Sequence, residues 1–365
     1  MIVRRVDVAP LTYRLKRPFI FAGVRLEQLG YAIVRVSTEA GVVGYGECPV
    51  YGNPRGETQV GTIGAVKKLT AAVAGRQFST PEQWGRILAT TMPTAYAVAC
   101  GLDSALHDAL GQEDGMPVYR YYGHAKPVPV EAAIPMVALS EVAGLVRSAI
   151  ERGITTYKVK VGTNTDREYQ LLRLVRAAIG PERTLFVDAN QGWKTVDDAA
   201  VALRTFADIH LAWVEQPLPA ACALKNFRIL RERVGIPIML DESVYTADDA
   251  RAAATAGAAQ LFNIKLAKSR GIWGAHQFAQ VVEDGGGRYM LGSMIEGALG
   301  TYAGVHFAST HAVQTSALNA YAFINDDRAF GPPLKNGCMV APDTPGLGYG
   351  CSDLFAACFK KDAPY

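Results

Sequence analysis

Lys158 and Lys160 stand two residues apart in Thr156-Tyr157-Lys158-Val159-Lys160-Val161-Gly162, where polar and apolar residues alternate. Alternation by two is a strand signal and puts both ammonium groups on one side. Like charges so placed need carboxylates nearby. The chain supplies them: Val187-Asp188-Ala189-Asn190, Val214-Glu215-Gln216-Pro217 and Leu240-Asp241-Glu242-Ser243 each end a short apolar run in an acid. Phe262-Asn263-Ile264-Lys265 ends another in a lysine. Three converging carboxylates cannot all ionise without a cation, and an all-oxygen set suits Mg²⁺, with Mn²⁺ as the alternative. Held by Asp188, Glu215 and Asp241 with positions left open, such an ion would take both oxygens of a small-molecule carboxylate substrate. It would then stabilise the enediolate formed when the α-proton leaves. Lys160 and Lys265 are the candidate acid and base. A lysine is a suitable base only if its pKa falls, and the ammonium of Lys158 is the neighbour expected to depress Lys160.

From Lys160 onward these polar strand ends follow at intervals of 28, 27, 26 and 24 residues. A step of about 25 residues, strand then helix, is that of a (β/α)8 barrel, whose chemistry sits at the C-terminal ends of its strands. The predicted strands are Val128–Ile134, Thr156–Gly162, Thr184–Asp188, His210–Glu215, Ile236–Asp241, Ala259–Lys265 and Arg288–Gly292, with the eighth near Ser316–Asn319. In a closed ring of eight, strands two and six are opposed, so Lys160 and Lys265 would face each other across the mouth. Asp188, Glu215 and Asp241 would form the arc between them. Asp241 and Glu242 are neighbours, and neighbours on a strand point oppositely, so only one should face inward.

A chain of 365 residues exceeds one ordinary core, so the barrel should carry a smaller domain. Residues 1–10 alternate as a strand, and Tyr31–Ser37 and Val42–Glu47 read as a hairpin turning at Gly41. Arg17–Gly23 reads as an aromatic loop, and Cys48–Gly56 is too rich in Pro and Gly to be regular. Helical patterns follow at Thr58–Ala74, Pro81–Thr90 and Thr94–Gly111. The expected division is an α+β capping domain over 1–125, the barrel over 126–325, and a tail over 326–365 that returns to the cap. The formal charge of +3 is unclustered, which leaves no footprint for nucleic acid or anionic membrane. No apolar run reaches spanning length. The six cysteines are scattered without CxxC spacing and read as reduced thiols of a cytoplasmic protein.

The set Lys158-x-Lys160, Asp188-x-Asn190, Glu215-Gln216-Pro217, Asp241-Glu242-Ser243 and Asn263-Ile264-Lys265-Leu266-x-Lys268 resembles the enolase superfamily, in its muconate-lactonizing branch. Gly292-Ser293-Met294-Ile295-Glu296-Gly297 and Ala105-Leu106-His107-Asp108-Ala109-Leu110-Gly111 extend the likeness over nearly the whole chain. The resemblance implies a barrel with an α+β cap, metal ligands at Asp188, Glu215 and Asp241, and acid/base lysines at Lys160 and Lys265. It favours Asp241 over Glu242 as the inward acid, and it implies homo-octamers. Asn190 is then a supporting residue, and Lys268 either neutralises charge near Glu242 or caps a loop. Two cap loops, around Phe19–Gly23 and Val50–Glu57, would select substrate, making Phe19, Phe21 and Tyr51 candidate contacts. Glu296 and Asn319 complete that set, although a first-turn acid such as Glu296 equally suits a helix N-terminus. The mandelate-racemase branch would want a late histidine base, whereas strand seven here ends in Gly292-Ser293.

The constellation points to an isomerase or lyase that abstracts a proton α to a carboxylate. The expected reaction is racemisation or epimerisation, or cycloisomerisation; dehydration of a hydroxy acid is the alternative. A barrel hydrolase with two metals is disfavoured because the paired lysines would crowd a second cation. A non-catalytic scaffold gives no reason for five polar strand ends. His107, His306 and His311 read as packed helix residues, and Gly346–Gly350 as a turn rather than a phosphate loop. Relatives that epimerise dipeptides hold the substrate ammonium with an Asp-x-Asp pair ending strand eight. Here Ala317-Leu318-Asn319-Ala320-Tyr321 has no carboxylate, and Asp326 and Asp327 lie too far on.

Overall fold

The computed structural model of the chain describes residues 1–21, 24–50, 57–91, 93–135 and 137–359, with backbone only at 20, 21 and 24. Strands β1 (Val3–Phe21), β2 (Val24–Thr38) and β3 (Val43–Cys48) form an antiparallel sheet in that order. The β2–β3 turn closes at Gly41, whose φ of +82° suits glycine. The aromatic segment expected as a loop is strand through Phe21. Its Phe-Ile-Phe run favours extended backbone. The irregularity instead falls between Arg14 and Phe19, where Pro18 has no N–H to give the ladder.

Helices α1 (Gln59–Val73), α2 (Pro81–Thr91) and α3 (Tyr96–Glu113) cover this sheet. The alanine and glycine content of α3 has a direct cause. A Cβ at Gly44 would overlap the Ala105 carbonyl, and one at Gly46 the Gly101 carbonyl, so helix and strand backbones touch.

Strand β4 (Val128–Pro129) leads into β5 (Glu131–Ile134), followed by β6 (Thr156–Lys160), β7 (Thr184–Asp188), β8 (Val214–Glu215), β9 (Ile238–Leu240), β10 (Leu261–Ile264) and β11 (Arg288–Leu291). From β5 to β11 they form one sheet in sequence order, and every pair is parallel. The eighth position is a single residue wide. Ser316 bridges to Leu291 in parallel, and its carbonyl accepts the Glu131 N–H at 2.8 Å, closing the ring. Beyond it Leu318–Phe323 is a 3₁₀ helix, so Asn319 lies just past the strand. The fourth strand is shorter than expected because His210 adopts the left-handed region (φ 55°) after a 3₁₀ turn.

Helices α4 (Val142–Glu151), α5 (Thr165–Ile179), α6 (Val196–Thr205), α7 (Leu224–Val234), α8 (Ala247–Thr255), α9 (Ile272–Asp284) and α10 (Ala298–Ser309) alternate with the strands. The architecture is a (β/α)8-type barrel with an α+β cap. No described helix is long and apolar enough to cross a membrane.

The C-terminal segment packs back on both halves. Strand β12 (Cys338–Met339) pairs antiparallel with β4, while Phe355 of α11 (Ser352–Ala356) lies 6.2 Å from the ring of Tyr45. Buried Asp108 on α3 joins the pieces: it accepts from the N–H groups of Tyr45 (3.0 Å) and Leu347 (2.9 Å) and from the Tyr349 hydroxyl (3.1 Å).

His306 on α10 is buried at the same junction. Its Nδ1 accepts the Tyr119 N–H at 3.2 Å, which leaves Nε2 to donate to the Leu347 carbonyl at 3.0 Å. The ring is therefore neutral, and burial pushes its pKa down to about 4. An unfolded histidine binds a proton near pH ~6.5, so acid favours the unfolded chain. The contribution of His306 is complete above that value and is lost as pH falls toward about 4, a change of about 3 kcal/mol. In urea unfolding, the deficit of His306→Gln against wild type should shrink by that amount between about pH 7 and about pH 4. An equal deficit at both would refute the assignment.

Candidate active site

The barrel interior is layered by strand alternation. Phe186, Trp213, Met239, Leu261 and Met290 form an apolar cluster within the ring. Two residues further along each strand come Asp188, Glu215, Asp241, Asn263 and Gly292. The lower layer keeps water from the barrel floor, and the upper one carries the charge. A Cβ at Gly292 would overlap Asn263 Oδ1 and crowd Lys265 Cε, so only glycine leaves these two side chains their room.

A cavity of about 130 Å³ opens on this layer, lined on its charged side by Glu131, Lys158, Lys160, Asp188, Asn190, Glu215, Asp241, Glu242, Asn263, Lys265 and Lys268. Lys160 on β6 donates to Asp188 Oδ2 and Asn190 Oδ1, both at 2.6 Å. On the opposite strand, beyond β10, Lys265 donates to Asp241 Oδ2 at 2.7 Å. Burial would lower the Lys265 pKa, but Asp241, Glu242 and Glu215 outweigh it and hold the ammonium protonated. Lys160 and Lys265 thus line one cavity, reaching it from strands on opposite sides of the ring.

Glu215 accepts Asn263 Nδ2–H at 2.6 Å on Oε1, while its Oε2 is buried without a hydrogen-bond partner. Burial first, then the charges of Asp188 and Asp241, push its pKa up to about 8. Burial and the same two carboxylates push Glu242 up to about 7. Asp241 is the exception. Burial acts upward, yet Lys265 and Lys268 hold its pKa well below the usual carboxylate range. The protein alone thus leaves the arc short of positive charge: five carboxylates face four ammonium groups in the lining. A divalent cation together with one substrate carboxylate supplies the missing charge, and the orphaned Glu215 oxygen is a ready ligand atom. The all-carboxylate donor set therefore fits Mg²⁺. Each acid is now turned onto an ammonium or amide, and no group of three or more acidic, His or Cys side chains among the described residues is arranged to hold an ion.

Two expectations need correction. Asp241 and Glu242 both line the cavity, because β9 ends at Leu240 and strand alternation no longer governs the pair. Lys268 serves Asp241 rather than Glu242: it donates to the Asp241 carboxylate and carbonyl and to the Asn263 carbonyl. Lys158 has its own counter-ion, with Nζ 2.7 Å from Glu131 Oε1 and 3.8 Å from Glu215 Oε2. Asn190 donates to Glu242 Oε1 at 3.1 Å and links the two ends of the arc.

Of the substrate candidates, Phe19 and Asn319 line the cavity, and Asn319 Nδ2 donates to the Glu131 carbonyl at 2.9 Å. Glu296 is not brought there. It accepts from the Ser293 hydroxyl and the Met294 N–H, closing the turn after β11. The side chain of Phe21 and all of Tyr51 lie outside the described residues. Asp326 is bound bidentately by Arg328, outside the cavity lining.

Sequence reasoning missed Glu131, Asn263 and Gln216. Glu131 is the one charge in Val128–Ile134, and Asn263 lies two residues before Lys265, hence on its face; both signals were readable. Gln216 is fully buried, and its Oε1 accepts the N–H groups of Asp241 (2.9 Å) and Ser243 (3.2 Å), which aims the Asp241 segment. Only its place after Glu215 hinted at that.

Opposed lysines and a carboxylate arc on parallel strand ends, roofed by an α+β domain, define a barrel enzyme built for proton transfer. Residues 4–123 match the model of the mandelate racemase / muconate lactonizing enzyme N-terminal domain, and residues 141–353 match that of the enolase C-terminal domain-like family. The L-Ala-D/L-Glu epimerase of Clostridium acetobutylicum is 30% identical over 95% of this chain and 98% of its own. The N-succinyl-L-Arg/Lys racemase of Bacillus cereus is 28% identical over 87% and 86%. The solved dipeptide epimerase of Enterococcus faecalis, in complex with Mg and the dipeptide L-Leu-L-Tyr, superposes with a TM-score of 0.87 at 29% identity, covering 95% of this chain and 99% of that one. The chain belongs to the enolase superfamily, in its mandelate racemase / muconate lactonizing enzyme group. It is an isomerase of the racemase/epimerase or cycloisomerase kind.

Proposed function

We propose that this isomerase is a Mg²⁺-dependent racemase or epimerase of an N-acylamino acid whose acyl end carries no charge, in contrast to the free ammonium of a dipeptide. Lys160 and Lys265 on opposed strands of one cavity, with Asp188, Glu215 and Asp241 between them, are the observation that carries the reaction. Those three acids would hold the cation, with Mn²⁺ as the alternative ion. Bound there, it supplies charge to the substrate carboxylate and to the enediolate. One lysine takes the α-proton and the other returns a proton to the opposite face, so one C–H bond breaks and one forms. Lys158, anchored by Glu131, adds positive charge beneath the carboxylate end. Lys268 keeps Asp241 ionised, and Asn190 holds Lys160 and Glu242 in register. In this reading residues 1–125 and the tail 326–365 form the lid, and 126–325 hold the chemistry.

The relatives divide between dipeptide epimerases and an N-succinyl amino-acid racemase. The far wall of the cavity supports an acyl group that ends in neither an ammonium nor a carboxylate. Phe19, Leu26, Met294, Ile295 and Phe323 are apolar, and Asn319 can hydrogen-bond but not neutralise an ammonium. Asp326 is already spent on Arg328. Burying an unpaired ammonium costs several kcal/mol, or about a hundredfold or more in kcat/KM. A screen of N-acylamino acids against free-amine dipeptides, read by α-deuterium exchange, should favour the acylated set by at least that factor. Efficient epimerisation of any free-amine dipeptide would sink the assignment and point to Asp326 or Asp327.

A further inference from the structure

Glu47 is a capping-sheet carboxylate that the proton-transfer chemistry does not use. It is 1% exposed, and it reaches across to the barrel helix α10. Its Oε1 accepts the Gly297 N–H at 2.9 Å and its Oε2 the Gly300 N–H at 3.1 Å. A few residues earlier the hydroxyl of Tyr31, on β2, donates to the Met294 carbonyl. These two cap residues bracket the turn Ser293–Glu296, which carries Met294 and Ile295 in the cavity wall.

That turn is strained. Ile295 has φ +66°, a region costly for a β-branched residue. The local bonds are the Ser293 hydroxyl to Glu296, Met294 N–H to Glu296 at 3.0 Å, and Ile295 N–H to Ser293 Oγ at 2.8 Å. They tie the turn to itself, but none fixes it against the rest of the molecule. Glu47 and Tyr31 do. Glycine at 297 is what lets the cap come so close: a Cβ there would strike the Tyr13 hydroxyl, whereas one at 300 would meet the turn's own Glu296. Leaving such a carboxylate dry is expensive unless it is bonded, so its two N–H partners keep it and the turn in one arrangement.

We propose that Glu47 and Tyr31 are positioning residues that clamp the strained Ser293–Glu296 turn, so that Met294 and Ile295 set which distal groups the cavity accepts. The specificity half of this rests on the racemase function proposed above; the clamp itself does not.

Two measurements separate them. Hydrogen–deuterium exchange of the intact protein needs no substrate. Glu47→Ala should speed exchange of the Gly297 and Gly300 amides by about tenfold or more, since each loses a bond to a buried acceptor. Glu47→Gln keeps one acceptor oxygen and should fall between Ala and wild type. Kinetics then use an N-acetyl and an N-benzoyl derivative of one amino acid turned over by the wild type. With Glu47→Ala, KM for the bulkier substrate should change by about tenfold with kcat within about threefold, while the smaller substrate changes less than about threefold. Tyr31→Phe removes only a hydroxyl and should shift both readouts in the same direction, so it carries the test if Glu47→Ala does not fold. Unchanged protection of 292–300 overturns the clamp. An equal loss for both substrates through kcat overturns its role in specificity. Faster amide exchange with no turnover of any N-acylamino acid by the wild type upholds the clamp and sinks the proposed racemase function instead.

Discussion

Replacing Lys160 by Ala should abolish solvent exchange of the α-hydrogen from one enantiomer of a racemised substrate and leave exchange from the other. Replacing Lys265 should do the reverse. Each lysine reaches the cavity from its own side of the barrel, so each can serve only one face of the α-carbon. Loss of a positioned acid/base group is worth roughly 10²–10⁴-fold, and overall racemisation should fall by that factor in both variants. The folded state should tolerate both changes. Lys265→Ala leaves Asp241 paired with Lys268, and Lys160→Ala leaves Asp188 Oδ1 with the Asn190 N–H at 2.9 Å. Deuterium exchange followed by NMR from each pure enantiomer decides the matter. If both variants lose or keep both exchanges alike, opposed bases are wrong. Loss confined to one lysine whatever the enantiomer would indicate a cycloisomerase or dehydratase with a single base.

The opposition of these lysines was legible in the sequence because it depends only on periodicity. A repeat of about 25 residues fixes the barrel, and the barrel fixes which strand ends face one another. Alternation by two likewise foretold that Lys158 and Lys160 of β6 share one face. It failed where a strand stops. Glu242 lies past the end of β9, and its orientation comes from the loop that Gln216 holds, a contact 25 residues away in sequence at Asp241. Ion pairing was legible in need but not in partner. Two like charges on one strand announced a missing carboxylate, yet only the register of β5 beside β6, with Ala133 opposite Lys158, brings Glu131 against it. The cap resisted for another reason: Glu47 and Tyr31 read as ordinary hairpin residues, and their targets lie about 250 residues further along the chain. The eighth strand was found near its place because β11 and β5 leave a gap of one strand. Its width of a single bridge is invisible to any window of residue types.

Removing one carboxylate at a time from the arc should separate metal binding from folding. Glu215→Gln is the clean case. The amide oxygen can still accept from Asn263, and the charge removed is one that burial, Asp188 and Asp241 already disfavour. Stability without metal should therefore be unchanged or slightly higher, while Mg²⁺ affinity falls on the order of a hundredfold or more with loss of a direct ligand. Asp241→Asn should behave differently. It leaves the buried ammonium groups of Lys265 and Lys268 without their counter-ion, so roughly 3–5 kcal/mol of stability should go along with the metal. Asp188→Asn should lose the metal too, with a smaller stability cost, because Asn190 still holds Lys160 at 2.6 Å. Titration calorimetry with Mg²⁺ beside urea unfolding of the metal-free protein gives both quantities for each variant. One Mg²⁺ per chain in the wild type, removable by chelator with loss of activity, is the expected baseline. Unchanged Mg²⁺ binding in two of the three variants would show that these acids are not the ligands.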